Sequence, residues 1–293
     1  MSDEPDAPVP TPDTDGADAD PDAAECLNCG AVLHGAYCHD CGQRHLSRLR
    51  LRTLLRNFAD AFLNVTTLGG GLWTTLRIGA RNPGRLARRY VEGERQRFIN
   101  PIGYILIVIT LLFVVYTLLE GAIVQTMTEM YRVQLPAMGV DPEEAFAPGG
   151  SSREVWGWRS MRDMAQGVFA FIRQTQTYIT LLFCLGAAGL LRVVFADHTY
   201  AELVVFVLYA AGQGILYHLL VLPFFLFASV SYWFALGPPL LLGVLALSGR
   251  GFFGPGAKGW LLPPLAYVGA YVGTVLLSIL VGVLGAIGVL ALG

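Results

Sequence analysis

Four of the five cysteines fall in one short stretch, as Cys26-Leu-Asn-Cys29-Gly30 and Cys38-His-Asp-Cys41-Gly42. Two Cys-x-x-Cys-Gly turns in tandem are the two halves of a tetrahedral thiolate site. Each short spacing aims two sulfurs at one metal, and the glycine permits the tight turn beyond the second cysteine. The expected ion is zinc, held by Cys26, Cys29, Cys38 and Cys41. With all four positions filled by thiolates the site is structural, and no catalytic residue is assigned. A ribbon this small cannot build a core unaided, so the metal supplies the folding free energy. Rival readings are a disulfide pair or a redox Cys-x-x-Cys, and the paired spacing and a cytosolic setting weigh against both. His34 and His39 read as exposed loop residues. Cys184, in a long apolar run, reads as a small buried apolar side chain.

The ribbon has little with which to bind nucleic acid. Between Cys26 and Cys41 there is one acid, no arginine or lysine, and a single stacking residue, Tyr37. Phosphate attraction is therefore absent there, which leaves capping a larger structure or docking a protein.

The chain around the ribbon is short of charge. Of 293 residues 54% are hydrophobic and 14% charged, with a mean hydropathy of +0.52, whereas a soluble domain carries about a quarter charged residues. An ordinary soluble enzyme is excluded. The net charge of −2 hides a division, with nine acids up to Glu25 and twelve arginines from Arg44 to Arg97. Residues 1–25, rich in Asp, Pro and Ala, bury too little to offset chain entropy and read as a disordered acidic tail, with no secretory signal pattern.

Five stretches are apolar enough for bilayer helices of about 20 residues, at about 102–124, 178–195, 201–228, 231–248 and 261–292. The first opens at Asn100-Pro101. The third and fourth come from one long run that should turn near 229–233, after Pro223. The fold class expected is all-α: a five-helix transmembrane bundle over residues 100–293, preceded by a zinc ribbon at 26–43 and basic interfacial helices at 44–99. Arginine-rich short loops face the cytosol. That places the N-terminus in the cytosol and the C-terminus outside, with a long outer loop from Gln125 to Thr177.

Apolar residues at Leu51, Leu54, Leu55, Phe58, Phe62 and Val65 follow helical spacing, with Arg48, Arg52 and Arg56 on the other side. A basic amphipathic helix beside a span lies in the headgroup layer, arginines toward anionic lipid. A second short helix holds Leu72, Trp73 and Leu76. A third begins with Asn82 as cap and Pro83 in its first turn, and presents Arg85, Arg88, Arg89, Arg95 and Arg97. These arginines form either a surface for lipid or a partner, or topology signals alone.

Ionisable and polar groups inside a bundle are the default places to look for function. The third span offers a stripe of Glu202, Phe206, Tyr209, Gln213 and Tyr217, with His218 beside it. The stripe either lines a polar path or makes interhelical hydrogen bonds. Gly269-x-x-x-Gly273 and Ser278-x-x-x-Gly282, then Gly285 and Gly288, suit close helix packing within the bundle or between copies. Trp156 and Trp158 with Arg153, Arg159 and Arg162 suit an interfacial helix in the outer loop.

The order Tyr37-Cys38-His39-Asp40-Cys41-Gly42-Gln43, Leu72-Trp73-Thr74-Thr75-Leu76, Asn82-Pro83-Gly84, Tyr90-Val91-Glu92-Gly93-Glu94-Arg95 and Phe98-Ile99-Asn100-Pro101 resembles a bacterial multipass membrane family, domain of unknown function 3667. The likeness covers roughly Cys26 to Tyr104. A weaker echo lies at Tyr200–Phe206, where Leu203 stands in place of the family's histidine. The resemblance implies a ribbon ahead of membrane spans and brings no activity with it.

These readings converge on a non-enzymatic, multi-pass protein of a bacterial inner membrane. Its cytosolic zinc ribbon and basic helices would serve as a docking or lipid-associated platform, with anionic lipids and a cytosolic protein as expected partners. The alternative is a small-molecule or lipid transporter using the third-span stripe. A second alternative is a membrane-embedded lipid-modifying enzyme with Glu202 and His198 or His218 in acid–base roles.

Overall fold

The computed structural model describes residues 25–44, 68–152, 157–227, 231–270 and 272–273. The described residues are helical, with no strand beyond two isolated bridges. The chain divides into two compact units, Met1–His45 and Leu46–Gly293.

In the first unit, antiparallel bridges pair Glu25 with Val32 and Tyr37 with Arg44. Each bridge closes one cysteine turn.

The second unit starts with a helical hairpin, α1 (Leu68–Gly79) and α2 (Pro83–Glu92). Asn82 is the N-cap of α2: its side-chain oxygen accepts from the Arg85 N–H at 2.9 Å. Pro83 fills the position whose missing N–H is not needed. Gly93, at φ +124°, ends the helix. Asn100 caps α3 (Pro101–Leu118) by accepting from the Ile102 N–H at 2.9 Å.

The expected first span, 102–124, is interrupted: α3 stops at Leu118 and α4 (Glu120–Ala137) begins after a break at Leu119. Glu120 pairs with Arg173 at 2.7 Å. A small core of Val124, Ala165 and Phe169 holds α4 against the later helix that carries Arg173. The stretch expected as a long outer loop is therefore largely helical. After the short α5 (Pro142–Phe146), α6 (Met161–Val194) has 34 residues, about 51 Å at 1.5 Å per residue. That exceeds a hydrocarbon core of about 30 Å, so α6 is longer than one crossing requires, and its first half packs beside α4.

Next come α7 (Tyr200–Phe227) and α8 (Ser231–Phe253), and residues 257–270 are again helical. Among the described residues, three helices are long and apolar enough to cross a membrane: Pro101–Leu118, Met161–Val194 and Tyr200–Pro223. The expected 231–248 span falls within α8. Most of the expected 261–292 span, with Ser278, Gly282, Gly285 and Gly288, lies outside the described residues. So do most of the acidic tail and the amphipathic stretch from Leu51 to Val65.

Helix α7 is the centre of the unit, packed against α2, α3, α6 and α8, and every residue from Ala201 to Ala210 is buried. Large apolar side chains stay exposed on α3 (Leu111, Phe113, Val114, Leu118) and α6 (Tyr178, Leu182, Val193). So broad an apolar belt is a liability in water and suits contact with lipid chains. Lipid offers no hydrophobic gain for bringing helices together, so close backbone approach and hydrogen bonds must do it. Gly84 on α2 supplies such an approach: a Cβ there would collide with the Ser248 carbonyl of α8. Gly251 meets Asn82 in the same way.

Candidate metal centre and the polar contacts of the bundle

The two cysteine turns are built alike. The Cys26 N–H donates to the Ala31 carbonyl at 2.8 Å and the Gly30 N–H to the Cys26 carbonyl at 2.8 Å. In the second turn the Cys38 N–H donates to the Gln43 carbonyl at 2.8 Å and the Gly42 N–H to the Cys38 carbonyl at 2.9 Å. Gly30 and Gly42 sit at φ +80° and +69°, the left-handed region in which a side chain is strained.

All five cysteines are free thiols. The sulfurs of Cys26, Cys29, Cys38 and Cys41 lie within 4.8 Å of one another, with Cys26 to Cys41 at 3.6 Å and Cys29 to Cys38 at 3.5 Å. A metal–sulfur distance of about 2.3 Å gives a tetrahedron with edges of about 3.8 Å, so the four fit one metal. Burial raises the Cys26 thiol, but hydrogen bonds from the Asn28 and Cys29 N–H groups and from neighbouring thiols outweigh it and bring it down to about 7. At Cys29 the Ala31 N–H lowers the thiol, yet desolvation and three neighbouring thiols together push it up to about 12. His34 and His39 are exposed, their rings 5.7 Å apart, and neither joins the sulfur set. The arrangement can clamp a metal with no open position, which is structural chemistry.

The arginines expected as a surface divide by environment. Arg48, Arg52 and Arg56 lie outside the described residues. Arg85 is exposed, and Arg88 is exposed and pairs with Glu92 at 3.1 Å. Arg89 grips Glu94 through two bonds, Nε at 2.8 Å and Nη2 at 2.5 Å, while Arg97 reaches the same carboxylate at 3.5 Å. Arg95 is half-buried beside Tyr90, and desolvation lowers its guanidinium. Both acids of the Tyr90–Arg95 motif therefore pair with arginines just outside it, Arg88, Arg89 and Arg97. Two arginines that sequence reasoning passed over, Arg77 and Arg81, stand exposed on the same hairpin with Trp73. Trp73 and Arg77 are four apart on α1, so one face carries both.

The inner face of the hairpin buries Leu86, Ala87 and Tyr90 against the bundle. The α7 stripe meets it there. Tyr209 donates to the Ile99 carbonyl at 2.5 Å, Tyr217 to the Ala80 carbonyl at 2.5 Å, and Tyr104 to Gln213 Oε1 at 2.8 Å. Thr75 donates to the Gly71 carbonyl at 2.7 Å and accepts from the Ile99 N–H at 3.1 Å. These bonds tie α1, the start of α3 and α7 into one assembly. Glu202 acts locally, forming a capping box with Thr199 in which the Thr199 N–H donates to Glu202 Oε2 at 2.9 Å and the Glu202 N–H to Thr199 Oγ1 at 3.3 Å. The spacing Thr199-x-x-Glu202 carries that signal, and the stripe reading overlooked it. His218 lies 3.2 Å from the Tyr116 hydroxyl, well along α7 from Glu202.

Of the outer-loop residues, Trp158 packs over Gly167 on α6, Arg159 and Arg162 flank the start of α6, and Arg153 and Trp156 lie outside the described residues. A Cβ at Gly269 would meet Leu190 of α6 at 3.3 Å, whereas one at Gly273 meets none of the described residues.

Residues 70–113 match the family described as a protein of unknown function, DUF3667. That stretch holds most of the α1–α2 hairpin and most of α3, including Thr75, Gly84 and Tyr90, whose contacts assemble the hairpin onto the bundle, and Asn100, which caps α3. No curated protein and no solved structure matches the chain.

Proposed function

We propose that the protein is a five-span integral protein of a bacterial inner membrane, acting without catalysis as a docking and lipid-associated platform. The observation that carries the reading is the hairpin. Its inner face is locked by the Gly84 approach and the tyrosine bonds, and its outer face presents Trp73, Arg77, Arg81, Arg85 and Arg88. A rigid aromatic and guanidinium face next to lipid-exposed helices suits an anionic headgroup layer, where each arginine near the surface contributes about 1 kcal/mol. In this reading the four cysteines hold zinc, and the ribbon offers Leu27, Val32 and Tyr37, all exposed, to a cytosolic protein. The N-terminus is cytosolic and the C-terminus extracytoplasmic. The interhelical hydrogen bonds of Tyr104, Tyr209 and Tyr217 support a packing role for the stripe over a transport path.

The test is lipid retention. Wild type and an Arg77→Gln/Arg81→Gln/Arg85→Gln variant are purified from mixed-lipid membranes and their bound lipids read by native mass spectrometry. Retention of phosphatidylglycerol should fall several-fold in the variant at unchanged folding. Equal retention would overturn the anionic-lipid reading.

A further inference from the structure

The outer face of α1 is ordered more finely than a general positive charge requires. Its buried positions are Thr75 and Gly79, one turn apart, and its exposed positions from Trp73 on are Trp73, Arg77, Ala80 and Arg81. Helical winding continues past Gly79. The Ala80 N–H donates to the Leu76 carbonyl at 2.8 Å, and the Arg81 and Asn82 N–H groups both donate to the Ile78 carbonyl, at 3.1 and 3.0 Å. Trp73, Arg77 and Arg81 therefore follow one another at intervals of four along one face, with about 5–6 Å between successive Cβ atoms.

The cations further along the hairpin are engaged by the protein itself. Arg88 pairs with Glu92, Arg97 with Glu94, and Arg89 with Glu94 while lying 5.4 Å from the centre of the Phe98 ring. Among the described residues no carboxylate pairs with Arg77 or Arg81. A guanidinium grips one phosphate through two parallel hydrogen bonds, so two guanidiniums one turn apart hold two phosphates. When a single glycerol bridges those phosphates, the second grip is intramolecular and gains from effective concentration, which two separate lipids do not. Trp73, 70% exposed, stands one turn before Arg77. An indole suits the level just below the phosphates, with its ring in apolar surroundings and its N–H toward ester oxygens.

We infer that the Trp73–Arg77–Arg81 stripe binds a lipid with two phosphates in one headgroup, the chemistry of cardiolipin, with one phosphate on each guanidinium and Trp73 against the glycerol esters. The inference rests on the anionic-lipid reading of the hairpin and names the headgroup it selects.

The test titrates the full chain in detergent with cardiolipin or with phosphatidylglycerol and reads binding by native mass spectrometry. Cardiolipin should bind at least ten-fold more tightly at equal phosphate concentration. Arg77→Gln and Arg81→Gln should each bring cardiolipin down to the phosphatidylglycerol level, because either change leaves one phosphate without its grip. The unfolding temperature should not move, since both side chains are exposed. Arg162→Gln removes the same charge at the exposed start of α6 and should keep the preference. Equal affinity for the two lipids at equal phosphate overturns the inference and leaves the anionic-lipid reading standing, whereas binding of neither overturns both. Arg85→Gln separates two specific grips from summed charge: a loss of preference as large as that of Arg77→Gln would also overturn the inference.

Discussion

Replacing Gly84 by alanine separates two opposed effects. Alanine is the better helix former by about 1 kcal/mol, and Gly84 lies inside α2, so local propensity favours the change. Packing opposes it. The added Cβ would collide with the Ser248 carbonyl oxygen and lie 2.6 Å from the carbonyl carbon and 2.9 Å from the Phe252 nitrogen. All three are backbone atoms of α8, so no side chain can swing aside. Restoring ordinary contact at about 3.5 Å with the carbonyl oxygen, the nearest of the three, requires α2 and α8 to separate by well over an ångström, which loosens Leu86, Ala87 and Tyr90 where they pack. Overpacking of this kind costs about 1–3 kcal/mol, occasionally more, and backbone-on-backbone contact belongs at the upper end. The net expectation is destabilisation of about 2 kcal/mol. Gly121→Ala is the control: it lies in α4, where a Cβ meets nothing, so propensity acts alone and stability should hold or rise. The assay is thermal unfolding of both variants in the same detergent, followed by intrinsic fluorescence. If Gly84→Ala is as stable as Gly121→Ala, α2 and α8 are not held by backbone contact and the account of the hairpin fails.

Tyr209→Phe removes a buried hydroxyl and leaves the Ile99 carbonyl without its donor, which should cost about 1–3 kcal/mol in the same unfolding assay; Thr117, whose hydroxyl bonds only back along its own exposed helix, should tolerate Thr117→Val. For the ribbon, zinc must displace protons from thiols that stay protonated at neutral pH, above all Cys29, pushed up to about 12. Binding then releases protons, so apparent affinity measured against a chromophoric chelator should rise from pH 6 to pH 8. Cys38→Ser should abolish that binding while membrane insertion persists, and loss of insertion would refute the separation of the two units.

Sequence was informative wherever the deciding interactions are local. The cysteine site depends on turns of a few residues, and both the sulfurs and their glycines are in the pattern. Asn82-Pro83 marks the start of α2 because a cap bonds to a backbone N–H three residues on. Long uncharged runs mark α3, α6 and α7 as bilayer-length helices because hydrophobic transfer depends on composition, not on neighbours. The same property left the far end of α6 hidden. Its packing on α4 rests on Glu120 and Arg173, and no periodic pattern links residues so far apart. Thr199-x-x-Glu202 is a local signal that the stripe on α7 obscured.

Where each apolar face points was settled by the tertiary structure. An apolar helical face reads alike whether it meets lipid or protein, so the α2 pattern could not say that Leu86, Ala87 and Tyr90 turn inward. Close approach decided that, through Gly84 against the Ser248 backbone and Gly251 against the Asn82 side chain, partners more than 150 positions apart in the chain. The pairing of Arg88, Arg89 and Arg97 with Glu92 and Glu94 is local by contrast, between residues three to five apart. Composition determined which helices are apolar enough to cross a membrane and spacing determined that four cysteines can hold a metal, because both depend on short-range chemistry. The surfaces it presents were decided by packing between distant helices, where a single missing Cβ controls how closely two backbones approach.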